Sequence, residues 1–252
     1  MISNDFAFFV QARMGSKRLP HKVLLPFFES KSILNLITDR LITNFPNIPI
    51  VICTSNSIED DLIELFCNEK KISCFRGSEQ NVLSRFVEAS QFYNFKYLVR
   101  VCADNPFLDV SFINKLLNIH HQNSKADYWS FKNINSVPVI KTHFGFFTEI
   151  VTLMALEKVL EKTSDPLYLE HVTNFIYSNS DFVSFLEFLP DNLIKRDDLR
   201  FTIDDESDFQ NLALVYEFYN KNECDIFKTI VFVDSQPKIK NVMMYNINKY
   251  SK

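Results

Sequence analysis

Residues 11–22 read Gln-Ala-Arg-Met-Gly-Ser-Lys-Arg-Leu-Pro-His-Lys and follow directly on the apolar run Phe6 to Val10. Arg13, Lys17, Arg18 and Lys22 all fall in this window, and no acidic residue between Asp5 and Glu29 offsets them. The chain has three glycines in all, and one of them, Gly15, stands here, where the lack of a Cβ lets backbone approach a ligand closely. A strand, a sharp turn and uncompensated cations together suit an anion such as a triphosphate, because exposed N–H groups and fixed charges both hold phosphate oxygens. Taken alone, the same stretch also reads as a basic loop that solvates itself.

Further polar groups arrive where strands should end. Tyr97 to Cys102 is a β-type run leading into Ala103-Asp104-Asn105-Pro106, and Leu199 to Ile203 is another leading into Asp204-Asp205-Glu206-Ser207-Asp208. Ligands of open α/β sheets bind outside the carboxyl ends of strands. Phosphate-bound Mg²⁺ is held by one or two protein carboxylates together with phosphate oxygens and water, so Asp104 and Asp204 are the candidate metal ligands. Singly, Asp104 also reads as a turn or cap residue before Pro106 and Asp204 as the N-cap of the following helix, while Asp208 fits the first helical turn as a dipole partner. Arg76-Gly77-Ser78 ends a third strand and offers a turn against which a base or sugar could lie. Glu149 lies on an apolar segment opened by Gly145, which calls for a cation, a polar ligand or a solvated face. Glu170 and His171 form an acid–imidazole pair on a helix, with no Ser or Cys nucleophile constellation beside them.

The elements that must position these residues alternate between strand and helix, which favours a largely parallel sheet covered by helices. Strands are expected at Phe6–Gln11, Ile48–Thr54, Ser73–Phe75 and Tyr97–Cys102, with helices at Ile33–Thr43, after Ser57 and Asp60, at Val82–Phe92 and at Val110–His120 behind an Asp109 cap. After Ala126 short strands at Tyr128–Phe131, Val137–Ile140 and Phe144–Ile150 suggest an antiparallel excursion, residues 126–190, outside the parallel core. Helices at Leu153–Glu161 and Leu167–Tyr177, strands at Val183–Phe188 and Leu199–Ile203, and helices at Ser207–Phe218 and around Phe227–Phe232 complete the reading. One α/β domain is expected over residues 1–252.

At 252 residues the chain is long enough for a large core, and a net charge of −4 argues against bulk electrostatic binding to nucleic acid or anionic lipid. An anionic ligand must therefore be caught by local charge. Five cysteines without CxxC spacing read as thiols of a reducing cytoplasm, and neither a secretion signal nor a membrane-length apolar run is present.

Five segments together resemble a known family: Gln11 to Leu25, Phe75 to Arg85, Arg100 to Asp109, Glu170 to Thr173 and Leu199 to Phe209, with a weaker match from Gly145 to Val151. They are similar to the cytidylyltransferases of bacterial surface-sugar synthesis, most closely the spore-coat-polysaccharide branch, relatives of the CMP-Kdo and CMP-sialic acid synthetases. The resemblance implies an α/β nucleotide-diphospho-sugar transferase fold of the glycosyltransferase-A type, with the excursion serving the acceptor or a homodimer contact. It implies transfer of CMP from CTP to a sugar acid or related acceptor, with Mg²⁺ as cofactor and release of pyrophosphate. Residue by residue, it assigns Gln11, Ala12, Arg13, Gly15, Ser16, Arg18, Lys22, Arg76, Gly77 and Ser78 to the nucleotide. Asp104 and Asp204 fall to the metal, Glu149, Glu170 and His171 to the acceptor, and Arg13 and Lys22 join the two aspartates in catalysis. His21 stands where the family's loop usually has glycine, and Met14 where the CMP-sialic acid branch has one, which points away from a sialic-acid-type acceptor. The open alternatives are another nucleotidyltransferase, a glycosyltransferase of the same fold and a non-catalytic nucleotide-binding protein; mid-chain, Asp104-Asn105-Pro106 is not the Asp-x-Asp of a glycosyltransferase.

Overall fold

Phe6, Phe8 and Val10 enter one buried cluster and Ala7 and Phe9 another. The first strand, β1 (Phe6–Gln11), is apolar on both faces because both faces are covered. A computed structural model describes residues 5–250. After β1 come a small antiparallel hairpin, β2 (Pro26–Phe28) and β3 (Lys31–Ser32), then α1 (Ile33–Asn44), β4 (Ile50–Ser55), α2 (Asp61–Lys70), β5 (Ser73–Gly77), α3 (Val82–Tyr93) and β6 (Tyr97–Cys102). The chain continues through α4 (Val110–Gln122), β7 (Tyr128–Lys132), β8 (Glu149–Thr152), α5 (Leu153–Lys162), α6 (Pro166–Glu170), α7 (Asn174–Ser178) and β9 (Ser184–Phe188). It closes with α8 (Glu206–Lys221), α9 (Ile226–Asp234) and α10 (Pro237–Lys249). The main sheet has seven strands in the order β5-β4-β1-β6-β8-β7-β9. β5, β4, β1 and β6 run parallel, β8 is antiparallel to both its neighbours, and β9 pairs parallel with β7.

Helices α1, α4 and α8 bury Ile37, Leu116 and Val215 in the cluster on one face of the sheet, and α3 and α5 bury Phe86 and Leu156 on the other. Each such side chain, fully buried, adds about 1.5–3 kcal/mol. From β1 the chain winds out to β4 and β5 and returns to β6 on the opposite side of β1, so the topological switch point lies between the carboxyl ends of β1 and β6. There the Ala103 N–H donates to the Gln11 carbonyl at 3.0 Å.

Several expected elements differ. β7 and β8, expected as an antiparallel excursion outside the parallel core, extend the main sheet beyond β6, with β8 antiparallel to both its neighbours. Val137–Ile140 is no strand: Pro138 has no N–H to give a ladder, and a single bridge to Lys132 is followed by a 3-10 turn at Val139–Lys141. The strand expected at Phe144–Ile150 begins only at Glu149, because Gly145 at φ +67° turns the backbone out of extension. The expected helix Leu167–Tyr177 is interrupted at His171–Thr173 into α6 and α7. Leu199–Ile203 is buried, yet it pairs with loops: Phe201 N–H donates to the His143 carbonyl at 2.9 Å and Ile203 N–H to the Asp104 carbonyl at 3.0 Å. α10 lies where the sequence reading placed no element.

Candidate active site

The loop after β1 coils around Met14. Its side chain is buried, its carbonyl accepts the N–H groups of Ser16 (2.8 Å) and His21 (2.9 Å), and its own N–H donates to Asp60 Oδ1 at 2.7 Å. Asp60 Oδ2 accepts the Ser55 N–H at 2.9 Å and its hydroxyl at 2.5 Å, which ties the loop to the end of β4. Burial alone would raise the Asp60 pKa, but these bonds outweigh it and hold the carboxyl below its ordinary value. The turn also explains the residue at position 21: His21 adopts φ +62°, the left-handed conformation that glycine takes without strain. A Cβ on Gly15 would make only ordinary contacts, with Glu59 and Glu79 at 3.7 Å, so that glycine is not required by the packing of the loop.

Two cavities meet at the switch point. One, of about 340 Å³, is lined by Gln11, Arg13, Ser16, Arg18 and Lys22 of the loop. The other, of about 490 Å³, is lined from β6, β8 and α7 and from the turns before them, with Arg100, Lys141, Thr142, Glu149, His171 and Tyr177 among its walls. Cys102, Asp104 and Asp204 border both. The two aspartates are also free of the capping roles that their positions in sequence allow, since Asp109 caps α4 and Asp205 caps α8.

Lys22, buried, donates from Nζ to Asp104 Oδ2 at 3.1 Å and to the Ile203 carbonyl at 2.5 Å. Arg18 pairs with Asp204 Oδ1, and the fully buried Arg200 donates to Asp204 Oδ2 at 2.7 Å. Arg200 is itself held by Asp208 through bonds of 2.8 and 2.6 Å and donates to His143 Nδ1 at 2.5 Å. Asp208 also accepts the Asp204 N–H at 2.9 Å, so it anchors both backbone and counter-ion of Asp204 rather than only a helix dipole. Burial pushes the Asp204 pKa up, but Arg200 first, then Lys22 and Arg18, bring it below the ordinary carboxylate value. Asp60 and His143 escape a reading along the sequence because Met14 and Arg200, the groups they bind, lie 46 and 57 residues away, and Arg200 because it sits inside the apolar run Leu199–Ile203.

The remaining candidates divide. Gln11 accepts from Arg100 at 2.9 Å across the β1–β6 pair. Glu149 is buried with Arg100, and it accepts the Tyr128 hydroxyl at 2.5 Å and the Thr173 hydroxyl at 3.0 and 3.2 Å. It forms part of the larger cavity's wall with both oxygens committed to the protein. Arg13 reaches across to Glu170 at 3.9 Å, both exposed. Arg76, Gly77 and Ser78 border neither cavity: Arg76 and Gly77 are the last residues of β5, and the Arg76 guanidinium is taken up by Asp61 (2.6 Å), Glu64 (2.8 Å) and the carbonyls of Ser55 and Ser57.

Residues 7–235 match the model of a family described as Cytidylyltransferase. The chain belongs to the cytidylyltransferase family. It is 30% identical to the spore coat polysaccharide biosynthesis protein SpsF of Bacillus subtilis over 221 residues, 85% of this chain and 87% of that one. It is 35% identical over 233 residues to an uncharacterized protein of Methanocaldococcus jannaschii, covering 92% of each. A cytidylyltransferase structure from Leptospira borgpetersenii superposes with a TM-score of 0.80 at 27% identity, over 93% of this chain and 96% of the other. A CMP:2-keto-3-deoxy-manno-octonic acid synthetase complexed with CTP shares the fold, with a TM-score of 0.63 at 11% identity over 84% and 98%. The protein is thus a CTP-dependent nucleotidyltransferase, which sets aside the glycosyltransferase and non-catalytic readings. No helix among the described residues is long and apolar enough to cross a membrane.

Proposed function

We propose that this cytidylyltransferase transfers CMP from CTP to a sugar acid destined for a surface polysaccharide. The observation that carries the reading is the pair of cavities with Asp104 and Asp204 on their common wall. The loop cavity receives the triphosphate on Arg13, Ser16, Arg18 and Lys22. The larger cavity receives the acceptor, whose hydroxyls meet Ser130, Thr142 and Asn174 and whose anionic group meets Lys141. The acceptor oxygen attacks the α-phosphorus, and pyrophosphate leaves toward the loop. Lys22 uses two of its three donors within the protein and keeps one for a phosphate oxygen. Little covalent chemistry is asked of the protein; it supplies position and fixed positive charge.

The donor set fits Mg²⁺ carried in by the nucleotide. Among the described residues no cluster of three or more acidic, His or Cys side chains could hold a metal by itself, whereas two oxygen-donor carboxylates beside a phosphate site suffice for an ion that keeps phosphate and water ligands. Asp104 and Asp204 would hold it, and the ion would offset charge on the phosphoryl oxygens. The spore-coat role of the Bacillus subtilis relative and the sugar acid named for the CTP-bound structure support the choice of pathway and acceptor class.

The test is pyrophosphate release from CTP and Mg²⁺ across a panel of sugar acids and neutral sugars. An active sugar acid, a drop of at least about 100-fold in Asp104→Asn and Asp204→Asn, and a raised acceptor KM with unchanged CTP KM in Lys141→Ala are expected. Turnover with neutral sugars alone would reject the acceptor, and full activity of either aspartate variant would reject the metal site.

A further inference from the structure

The family match ends at residue 235, but the chain goes on to form α10, and α10 returns to the site. Its inner face buries Met243 and Asn246, and Asn246 Nδ2 donates to Ser207 Oγ and Asp208 Oδ1, both at 2.8 Å. At its end, Lys249 Nζ (3.1 Å) and the Tyr250 hydroxyl (2.7 Å) donate to Asp205 Oδ2. The guanidinium carbons of Arg18 and Arg200 lie over the Tyr250 ring, 4.4 and 5.2 Å from its centroid.

These contacts converge on one residue. Arg18 and Arg200 hold the two carboxylate oxygens of Asp204, Asp208 holds its N–H, and Asp205 follows it in the chain. α10 therefore touches the groups that surround Asp204 without touching either cavity. The Arg18 side chain is half exposed, and a long exposed cation loses much rotamer freedom when it grips an anion. A ring set beneath its guanidinium makes that loss in advance, which is preorganisation.

We propose that α10 is a clamp on the phosphate-binding loop, with Tyr250 a positioning residue that fixes the Arg18 guanidinium beside Asp204. The proposal rests on the reading of Arg18 as a triphosphate ligand. It predicts that the segment after residue 235 tunes CTP affinity from outside the cavities.

Steady-state kinetics of the full chain test it, with Arg18→Ala, Tyr250→Ala, Tyr250→Leu, Tyr250→Phe and the Arg18→Ala/Tyr250→Ala double variant. Expected are a CTP KM raised about five-fold in Tyr250→Ala, as for loss of a cation–π contact at a half-exposed site, with kcat and acceptor KM within two-fold of the wild type. Tyr250→Leu, which keeps apolar volume without the π face, should match it, and Tyr250→Phe should restore most of the affinity. In the Arg18→Ala background the Tyr250 change should add nothing. A raised CTP KM in Arg18→Ala with none in Tyr250→Ala or Tyr250→Leu overturns the clamp and leaves the loop reading standing. Multiplying effects in the double variant overturn it as well, because Tyr250 then acts elsewhere. An unchanged CTP KM in Arg18→Ala removes the loop reading and the clamp with it.

Discussion

Asp60 makes the sharpest prediction because it touches no ligand cavity and yet fixes the loop that does. In Asp60→Asn the carbonyl oxygen can still serve the Ser55 N–H and hydroxyl, but the amide NH₂ must then face the Met14 N–H, donor against donor. One buried N–H is left unpaired, a loss of about 1–3 kcal/mol. In Asp60→Ala both backbone donors, Met14 and Ser55, lose their acceptor, for about 2–6 kcal/mol against a total of about 5–15. For a chain of this size the Asn variant should melt roughly 2–12 °C lower, and the freed Met14 N–H should loosen Arg13 to Ser16 and raise the CTP KM. The sign of the pH effect follows from the depressed Asp60 pKa. Its contribution is fully present above the unfolded carboxylate value, about 3.9, and is lost as pH falls through the folded value. The gap between wild type and Asp60→Asn in denaturant midpoint should therefore be constant near neutrality and shrink in acid. If Asp60→Asn keeps both its midpoint and its CTP KM, the Met14 bond supports neither fold nor loop, and the reasoning fails.

Gly145→Ala should abolish folding or activity, since a Cβ there would lie 2.5 Å from the Phe201 carbonyl carbon at a φ of +67°; near-native thermal melting and turnover would show that the Phe201–Thr202 segment can move. His21→Gly should leave CTP use unchanged and alter stability by no more than about 1 kcal/mol, because relief of the left-handed strain is offset by the greater freedom of glycine in the unfolded chain; a clear rise in CTP KM would assign work to the imidazole. Glu149→Gln removes the counter-ion of the buried Arg100, a loss of about 3–5 kcal/mol, with the acceptor KM rising more than the CTP KM; unchanged chemical denaturation would place little weight on that pair.

The β1 strand and its loop were legible because their signals are local: continuous apolarity for a strand covered on both faces, then cations without nearby acids. Asp104 and Asp204 stand out in the sequence as polar residues directly after β-type runs, and the structure sets both on the wall that the two cavities share. Leu199–Ile203 misled, since apolar residues in extension look alike whether they pair in a sheet or lie against loops. The role of Asp60 stayed hidden because its target is Met14, 46 residues away, while Ser57 and Asp60 read as a helix start, which they also are, before the 3-10 turn at Ile58–Asp60 and before α2. Arg76-Gly77-Ser78 read as a turn against which a base or sugar could lie, but α2 brings Asp61 and Glu64 to the Arg76 guanidinium. α10 is polar overall and is fixed by Met243 and Asn246, too few buried positions to announce a helix face.

Contacts that close the site span the chain: Arg18 to Asp204 joins residues 186 apart, and Lys22 to Ile203 residues 181 apart. The parallel strands β1, β4, β5 and β6 by contrast pair entirely within residues 6–102. On the ribosome, those strands can take shape while the segment bearing Asp204 is still unmade. Of the two carboxylates, Asp204 is made after the loop, Asp104 and the α7 wall of the larger cavity, so the order of synthesis brings the second carboxylate to a site whose other walls already exist.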